Sequence, residues 1–146
     1  MIETRAALEA WLGTFRLSHS PAEVTATFVI DSTGKLRLAD RRSEHMVCAG
    51  GLPVYAAGEM TFDAVNLAVV EVTNQSTGYC PEPESWPTVA TALDVMGIEH
   101  PGQYTTSLIF RRCQKCKATN IVKDNWFKCA VCGAGLPDAW NYSPNT

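Results

Sequence analysis

Apolar residues recur at helical spacing in two segments of the chain. One face of the first segment, 3–16, carries Leu8, Trp11, Leu12 and Phe15. This spacing predicts an amphipathic helix with Thr4 as its N-cap. The second segment, 85–96, has the same periodicity between Ser85, a suitable N-cap, and Gly97, a suitable stop. We therefore expect one helix near the start of the chain and another after its middle.

Outside these helices, β-branched and aromatic residues indicate strands. The predicted strands are 24–31, 36–38, 53–62, 66–73 and 104–110. Residues 32–35 have a turn sequence, so the first two strands are expected to pair as a β-hairpin. The strand 66–73 is almost continuously apolar, which predicts a central position in the sheet.

These elements predict an α+β fold class. We expect a mostly antiparallel sheet of about five strands covered by two helices, plus a C-terminal zinc ribbon. The chain would then have three parts: an α+β body over 1–110, the ribbon over 111–138 and a flexible tail over 139–146.

The ribbon is predicted from four cysteines that form two CxxC pairs. Cys113 and Cys116 precede Cys129 and Cys132 by twelve intervening residues. Each CxxC turn directs two sulfurs at one point, so the two pairs complete the tetrahedron of thiolates that Zn²⁺ prefers. Four ligands leave no open position, which indicates a structural Zn²⁺ ion. The unit resembles rubredoxin-like and ribosomal zinc ribbons, a class that shares a fold and not one function.

The cysteines also lead to predictions of the strand pairing inside the ribbon and of the redox state of the two remaining thiols. Between the pairs we expect a short hairpin, with strands 120–122 and 126–128 and a turn at 123–125. Cys48 and Cys80 are expected to be reduced thiols, because no secretory signal is evident. No stretch approaches the ~20 apolar residues that cross a bilayer, so we expect a soluble, cytoplasmic protein without membrane contact.

Charge is distributed unevenly along the chain, whose net charge is −3. Residues 1–110 hold six Lys/Arg against thirteen Asp/Glu, whereas 111–128 hold six against one. A Zn²⁺ ion with four thiolates lowers the charge of the second segment by two, to about +3. Nucleic acid is therefore one candidate partner, with Trp126 or Phe127 available to stack on bases. The phosphate contacts would come from Lys115, Lys117, Lys123 and Lys128.

Two blocks of the body, 45–59 and 74–84, carry a distinctive pattern. The first reads HMVCAGGLPVYAAGE and the second NQSTGYCPEPE. They resemble the HSSxxAGxPVxAAGE and NxSGHYxPxxE blocks of a module in bacterial toxin and effector proteins and in plant IQ-motif calmodulin-binding proteins. The matching residues are His45, Gly51, Pro53, Ala57, Gly58, Glu59, Asn74, Ser76, Tyr79, Pro81 and Glu84.

Three positions depart from that pattern. Met46 and Val47 replace the two serines after the first histidine, and Gly78 replaces the histidine of the second block. If that second histidine acts as an acid or base in the module, this chain lacks it. The resemblance therefore implies the fold of the module and not its activity.

The same two blocks supply the candidate binding residues. These are His45, Gly50, Gly51, Glu59, Asn74, Ser76, Tyr79 and Glu84. Each also has a structural interpretation. His45 can be a locally hydrogen-bonded histidine, Gly50 and Gly51 a simple turn instead of a phosphate cradle, and Glu59 a carboxylate paired with His45, Arg41 or Arg42. Asn74, Ser76 and Tyr79 can form an Asx turn with a packed tyrosine, and Glu84 can favour a helix N-terminus by its charge. No catalytic residue is assigned.

Three functions follow from these observations. The leading hypothesis is a cytoplasmic binding or adaptor protein that recognises a protein or small ligand through loops 41–51 and 74–84. The second is an enzyme on a nucleotide-like or protein-modification substrate, with His45 as acid or base and Glu59 or Glu84 assisting. The third is nucleic-acid binding through the basic ribbon. The closed zinc site and the lack of a complete catalytic triad favour the first.

Overall fold

The fold is organised around one antiparallel sheet. The computed structural model describes residues 1–19, 23–76 and 78–142, and within 15–19 it describes the backbone only. In these ranges the chain has an α+β architecture, with a four-stranded sheet, a separate two-stranded sheet and three α-helices. The predicted fold class is confirmed.

Three α-helices and six strands are distributed along the described chain. In chain order they are α1 (Arg5–His19), β1 (Glu23–Asp31), β2 (Leu36–Asp40), α2 (His45–Cys48), β3 (Val54–Asp63), β4 (Ala68–Val72), α3 (Trp86–Val95), β5 (Ile109–Arg112) and β6 (Thr119–Val122). The larger sheet has the order β2-β1-β3-β4, and every neighbouring pair is antiparallel. Strands β5 and β6 form the second sheet. None of the described helices has the length and apolar character needed to cross a membrane.

Helix α1 begins where its sequence predicts. The hydroxyl of Thr4 accepts a hydrogen bond from a first-turn backbone N–H at 3.0 Å, which confirms the N-cap. Leu8 and Leu12 are buried in the main core. The helix runs to His19, beyond the predicted end, and the side chain of Phe15 lies outside the described part of the chain.

The four-stranded sheet is covered on both faces. The main core lies between one face and the helices α1 and α3, where Phe28 of β1 and Met60 of β3 are fully buried. On the opposite face Val29 and Ala57 form a second buried cluster with Ala49, the residue that follows α2. Helix α2 and its flanking loop therefore lie directly on the sheet.

Asp31 organises the turn of the predicted β1–β2 hairpin, which is confirmed. Its carboxylate accepts hydrogen bonds from the N–H groups of Thr33 and Lys35, and Arg37 Nε donates to it at 2.9 Å. Burial raises the pKa of Asp31, but hydrogen bonds from Thr33, Lys35 and Arg37 outweigh this effect. The net result is a pKa lowered from 3.8 to about 2.

Strand β4 lies at the edge of the sheet, so the central position predicted for 66–73 is wrong. Its outer edge is bonded to a later segment instead of a strand. The N–H of Val69 donates to the carbonyl of Glu99 at 2.8 Å, and the N–H of Thr105 donates to the carbonyl of Val72 at 2.8 Å. This later segment protects an otherwise open edge of the sheet.

The predicted strand 104–110 does not join the larger sheet, which leaves four strands there instead of about five. An isolated parallel bridge links Thr106 to Thr73, and backbone bonds join Thr105 and Thr106 to the carbonyl of Val72. The regular strand starts at Ile109 and pairs with β6. The prediction that 120–122 pairs with 126–128 is therefore also wrong. Lys128 instead forms a β-bridge with Gly135, across the second cysteine turn.

Helix α3 starts and ends close to the predicted positions. One turn of 3-10 helix, Pro83–Ser85, precedes it. Ser85 does not cap the helix through its side chain, because its hydroxyl donates to the carbonyl of Glu82 at 2.6 Å and bonds the hydroxyl of Tyr104. Gly97, with φ of +70°, ends the helix as expected.

Gly58 of β3 is required by close backbone packing, and this generates a stability prediction. A Cβ at this position would overlap the carbonyl of Thr73. We expect Gly58→Ala to lower the free energy of unfolding by about 2 kcal/mol or more. Gly13→Ala is the matched control, because a Cβ there meets nothing and alanine favours the helix by about 0.5–1 kcal/mol. Urea unfolding measures both, and equal midpoints for the two variants would contradict the packing argument.

The lowered pKa of Asp31 predicts a pH-dependent contribution to stability. Because the folded pKa is below the unfolded one, the contribution is fully present above about pH 5 and is lost as the pH falls through about 2. At pH 7 it amounts to about 2 kcal/mol. We expect the difference in unfolding free energy between the wild type and Asp31→Asn to shrink from pH 7 to pH 3. Glu9→Gln, at an exposed carboxylate of α1, should show no such trend.

Candidate metal centre and loop site

The four cysteine sulfurs of the ribbon converge on one point. All lie within 4.8 Å of one another. The Sγ atoms of Cys113 and Cys132 are 3.5 Å apart, and those of Cys116 and Cys129 are 3.6 Å apart. A tetrahedron with metal–sulfur bonds of about 2.3 Å has edges of about 3.8 Å. The four cysteines are therefore arranged to hold a metal ion, as the spacing predicts.

The two CxxC turns have the same backbone geometry. In each pair the N–H of the first cysteine donates to the carbonyl five residues later, at 2.8 Å in both turns. The residue after each second cysteine has a positive φ, +68° at Lys117 and +77° at Gly133. Each turn thus reverses tightly enough to direct both of its sulfurs to the same point.

Hydrogen-bond donors surround the sulfur of Cys129. The N–H of Val131 donates to it at 3.3 Å, and the side-chain amide of Asn120 donates at 3.5 Å. The same asparagine accepts a bond from the N–H of Ala130 at 2.9 Å, which holds its amide in place. A backbone bond from Cys132 and the bond from Asn120 lower the pKa of Cys129 to about 6. These donors stabilise the thiolate, the form that binds metal.

The sulfurs also oppose one another's ionisation. A backbone bond from Ala118 lowers the pKa of Cys116, but burial and the neighbouring thiols raise it to about 12. Four thiolates at this separation repel one another unless a cation lies between them. A divalent ion supplies that charge, so the arrangement fits a metal and not four free thiols.

A C-terminal segment, residues 138–142, binds the ribbon to the body. Arg111 is buried and donates to the carbonyl of Asp138 at 2.9 Å. The side chain of Asn141 bonds both the N–H and the carbonyl of Arg112, at 2.9 and 2.7 Å. Trp140 Nε1 donates to the carbonyl of Cys80 at 2.7 Å. The region predicted as a flexible tail therefore begins with bonded residues, and 143–146 lie outside the described part.

His45 lies at the start of α2, over the second face of the sheet. Its Nε2–H donates to the carbonyl of Gly58 at 2.8 Å. Burial lowers the pKa of His45, while the bond to Gly58 and the charge of Glu59 oppose this effect. Glu59 also faces Arg41, with 3.9 Å between Oε2 and the guanidinium. His45 and Glu59 are thus neighbours, and Arg41 is the ion-pair partner of the carboxylate.

Gly50 and Gly51 end helix α2. Their N–H groups donate to the carbonyls of Val47 and Met46 at 3.0 and 2.8 Å, and their φ angles are +65° and +77°. Both N–H groups are engaged within the chain. This geometry matches a helix-terminating turn more closely than a phosphate cradle.

Asn74 and Ser76 shape the second loop. The buried amide of Asn74 donates to the carbonyls of Pro81 and Leu108 at 2.9 and 2.8 Å and accepts from the N–H of Leu108 at 2.6 Å. Ser76 is also buried, and its hydroxyl accepts a bond from the N–H of Tyr79 at 3.2 Å. The polar groups of Asn74 and Ser76 therefore form their hydrogen bonds within the chain.

The two loops meet in space. The hydroxyl of Tyr79 donates to the carbonyl of Leu52 at 2.6 Å. A Cβ at Gly78, the position of the module's second histidine, would lie 3.7 Å from Met46 Cγ. Glu84 is exposed in the turn before α3, where acidic charge is favourable. The structure therefore brings the first block together with Gly78 and Tyr79.

Exposed apolar side chains form a feature that the sequence patterns did not reveal. We call it the apolar loop surface; its members are Met46, Val47, Leu52 and Tyr55, which are 40%, 70%, 51% and 55% exposed. All four lie within ten consecutive residues that are held against the sheet. The available signal was the presence of large apolar residues in a Gly-rich and Pro-containing loop without helical or strand periodicity.

Comparison with known proteins gives no relative for this chain: no family model, no curated protein and no solved structure matches it. The resemblance to the toxin and IQ-motif module thus receives no support from these comparisons.

Asn120 holds the sulfur of Cys129, which predicts a role in metal affinity. We expect Asn120→Ala to weaken metal binding about 10- to 100-fold, because the sulfur loses a donor and Ala130 loses its acceptor. The measurement is a titration with Co²⁺ against a competing chelator. Gln114→Ala is the matched control, since it removes an exposed amide from the first cysteine turn. Equal affinities for the two variants would show that Asn120 does not support the ligand.

Proposed function

We propose that this protein is a cytoplasmic adaptor with a structural Zn²⁺ ion. Its four cysteines hold the ion, and its loops 41–51 and 74–84 recognise a protein partner. The observation that carries the proposal is the apolar loop surface, which is exposed although its backbone is firmly held.

The donor set supports Zn²⁺ as the ion. Four thiolates in a tetrahedral arrangement suit zinc better than the hard cations, which prefer oxygen. Two of the sulfurs, those of Cys113 and Cys129, are buried, and all four coordination positions are filled by protein. Metal binding of this kind contributes about 10–16 kcal/mol of apparent free energy, which is ample to fold the small ribbon.

The apolar loop surface supports a protein partner. Exposed large apolar groups concentrated in one loop of a folded chain are typical of interaction sites. Here the supporting loop is fixed by the Tyr79–Leu52 bond and by the buried cluster of Val29, Ala49 and Ala57. A surface that is already ordered loses little conformational entropy on binding, so it retains more of the binding free energy.

The polar groups of the loops favour this function over a small-ligand site or an enzyme. Asn74, Ser76 and the Nε2–H of His45 all bond to their own chain. The enzyme hypothesis needs His45 to exchange a proton with substrate, assisted by Glu59 or Glu84. In this geometry His45 binds a backbone carbonyl and Glu59 faces Arg41, which suits a structural role for both residues.

The ribbon supports nucleic-acid binding less well. Of its six cationic residues, Arg111 is buried and Arg112 lies over the ring of Tyr142 at 5.0 Å. The four lysines are exposed, but Asp124 and the zinc–thiolate centre offset most of their charge. Trp126, at 68% exposure, is available to stack on a base or on a protein side chain.

A pair of charged substitutions tests the adaptor function. We expect Val47→Asp with Leu52→Asp to reduce partner binding at least tenfold, because charge would have to be buried at the interface. Proteins captured from the source cells by the wild type and the variant are compared by quantitative mass spectrometry. Val95→Asp is the control, since this valine of α3 is 80% exposed and remote in sequence from both loops.

The outcome is decisive in either direction if all three proteins are folded. Partners lost with the loop variant and kept with the control support the apolar loop surface as the binding site. An unchanged set of partners for the loop variant contradicts it.

A further inference from the structure

We propose that the metal centre controls the order of the apolar loop surface through the C-terminal segment 138–142. This inference rests on the proposed function, because it concerns how the proposed binding surface is regulated. It follows from a continuous path of contacts between the cysteine sulfurs and residues 76–80.

The first part of the path runs from the metal to strand β5. The cysteine turns hold β6, whose Val122 packs with Cys113, Cys129 and Leu136 in the small ribbon core. Strand β6 is the only β-strand partner of β5 in the described residues. A core of this size does not fold unaided, so the extended conformation of β5 depends on the bound metal.

The second part runs from β5 to the C-terminal segment. Asn141 bonds the backbone of Arg112 on both its N–H and its carbonyl, so it recognises an extended strand. Arg111, on the same strand as Arg112, donates two hydrogen bonds to the carbonyl of Asp138. When β5 no longer pairs with β6, its backbone loses the extended geometry on which the bonds to Asn141 and Asp138 depend.

The third part joins the C-terminal segment to the second loop. Trp140 donates to the carbonyl of Cys80, and Tyr142 is buried with Cys80 and Phe110 in one cluster. Cys80 has a φ of +48°, a conformation that a non-glycine residue rarely adopts without support. The C-terminal segment provides that support by covering the side chain and bonding the carbonyl.

The last part reaches the apolar loop surface. The N–H of Cys80 donates to the carbonyl of Ser76 at 2.7 Å, which closes the turn that carries Tyr79. Tyr79 in turn bonds the carbonyl of Leu52, one of the four surface residues. Loss of the metal would therefore loosen the turn at 76–80 and, through Tyr79, the loop beneath the surface.

The body itself does not depend on this path. Among the described residues, those of the main core between the sheet and helices α1 and α3 all precede residue 105. Metal removal should accordingly loosen the ribbon, the C-terminal segment and the two loops while the sheet stays folded. The chain would then keep its fold and lose the rigid presentation of its binding surface.

Hydrogen–deuterium exchange of the full chain tests the inference without any partner. The zinc-loaded protein is compared with the same protein stripped by a chelator under reducing conditions. We expect amides of peptide 74–84 to exchange about tenfold faster after metal removal, because the Cys80 turn loses its support. Peptide 24–31, in the middle of the sheet, should be unchanged.

Trp140→Phe breaks the path while the metal stays bound. It keeps an aromatic ring but loses the N–H that bonds Cys80, together with part of the indole that packs beside Tyr142. In saturating zinc we expect faster exchange in peptide 74–84 with no change in the ribbon peptide 113–136. Trp126→Phe, which replaces an exposed tryptophan of the ribbon, is the matched control and should alter neither peptide.

The results separate this inference from the proposed function. Unchanged exchange in 74–84 after metal removal, with a loosened ribbon, overturns the coupling and leaves the binding function intact. An unaffected ribbon overturns both the structural role of zinc and the coupling. Loss of protection in 24–31 as well would show that the metal holds the whole fold, which also overturns a local path.

Discussion

Four sulfur atoms held within 4.8 Å of one another impose an electrostatic condition on the C-terminal third of the molecule. Their thiolate forms repel, and only a cation at their centre makes the arrangement favourable. The cysteine turns, β6 and the pairing of β5 with β6 all lie around these sulfurs. The C-terminal segment bonds both β5 and Cys80, and its bond to Cys80 spans 60 residues.

The two faces of the larger sheet are covered in different ways. One face is sealed by α1 and α3 and provides most of the buried apolar area. The other is covered by α2 and the turn at Tyr79, where Ala49 after α2 packs on Val29 and Ala57 of the sheet. Small side chains let the loop lie close to the strands, so its own large apolar residues point outward. The stability of the body and the exposure of the apolar loop surface therefore come from opposite faces of the same strands.

Local sequence signals predicted the parts of the structure that depend on local interactions. The cysteine spacing identified the four residues that are arranged to hold a metal ion, because each CxxC turn directs both of its sulfurs to one point. Thr4 and Gly97 marked helix ends, because each acts within one turn of its own position. The failures involve partners distant in sequence. The apolar run at β4 is equally compatible with a central strand and with an edge covered by 99–106. Nothing near residue 120 shows that its strand pairs with 109–112 instead of 126–128.

The same limit applied to the candidate binding residues. Asn74 is of a residue type that often contacts ligands, and only the fold shows that its amide is hydrogen-bonded to Pro81 and Leu108. Its bond to Leu108 spans 34 residues, and the bond from Trp140 to Cys80 spans 60. Chain synthesis proceeds from the N-terminus, so Cys80 emerges well before the tryptophan that holds it. The loop at Cys80 cannot gain this bond until Trp140 has been made, so a nascent chain carries its strands before it carries the finished loop.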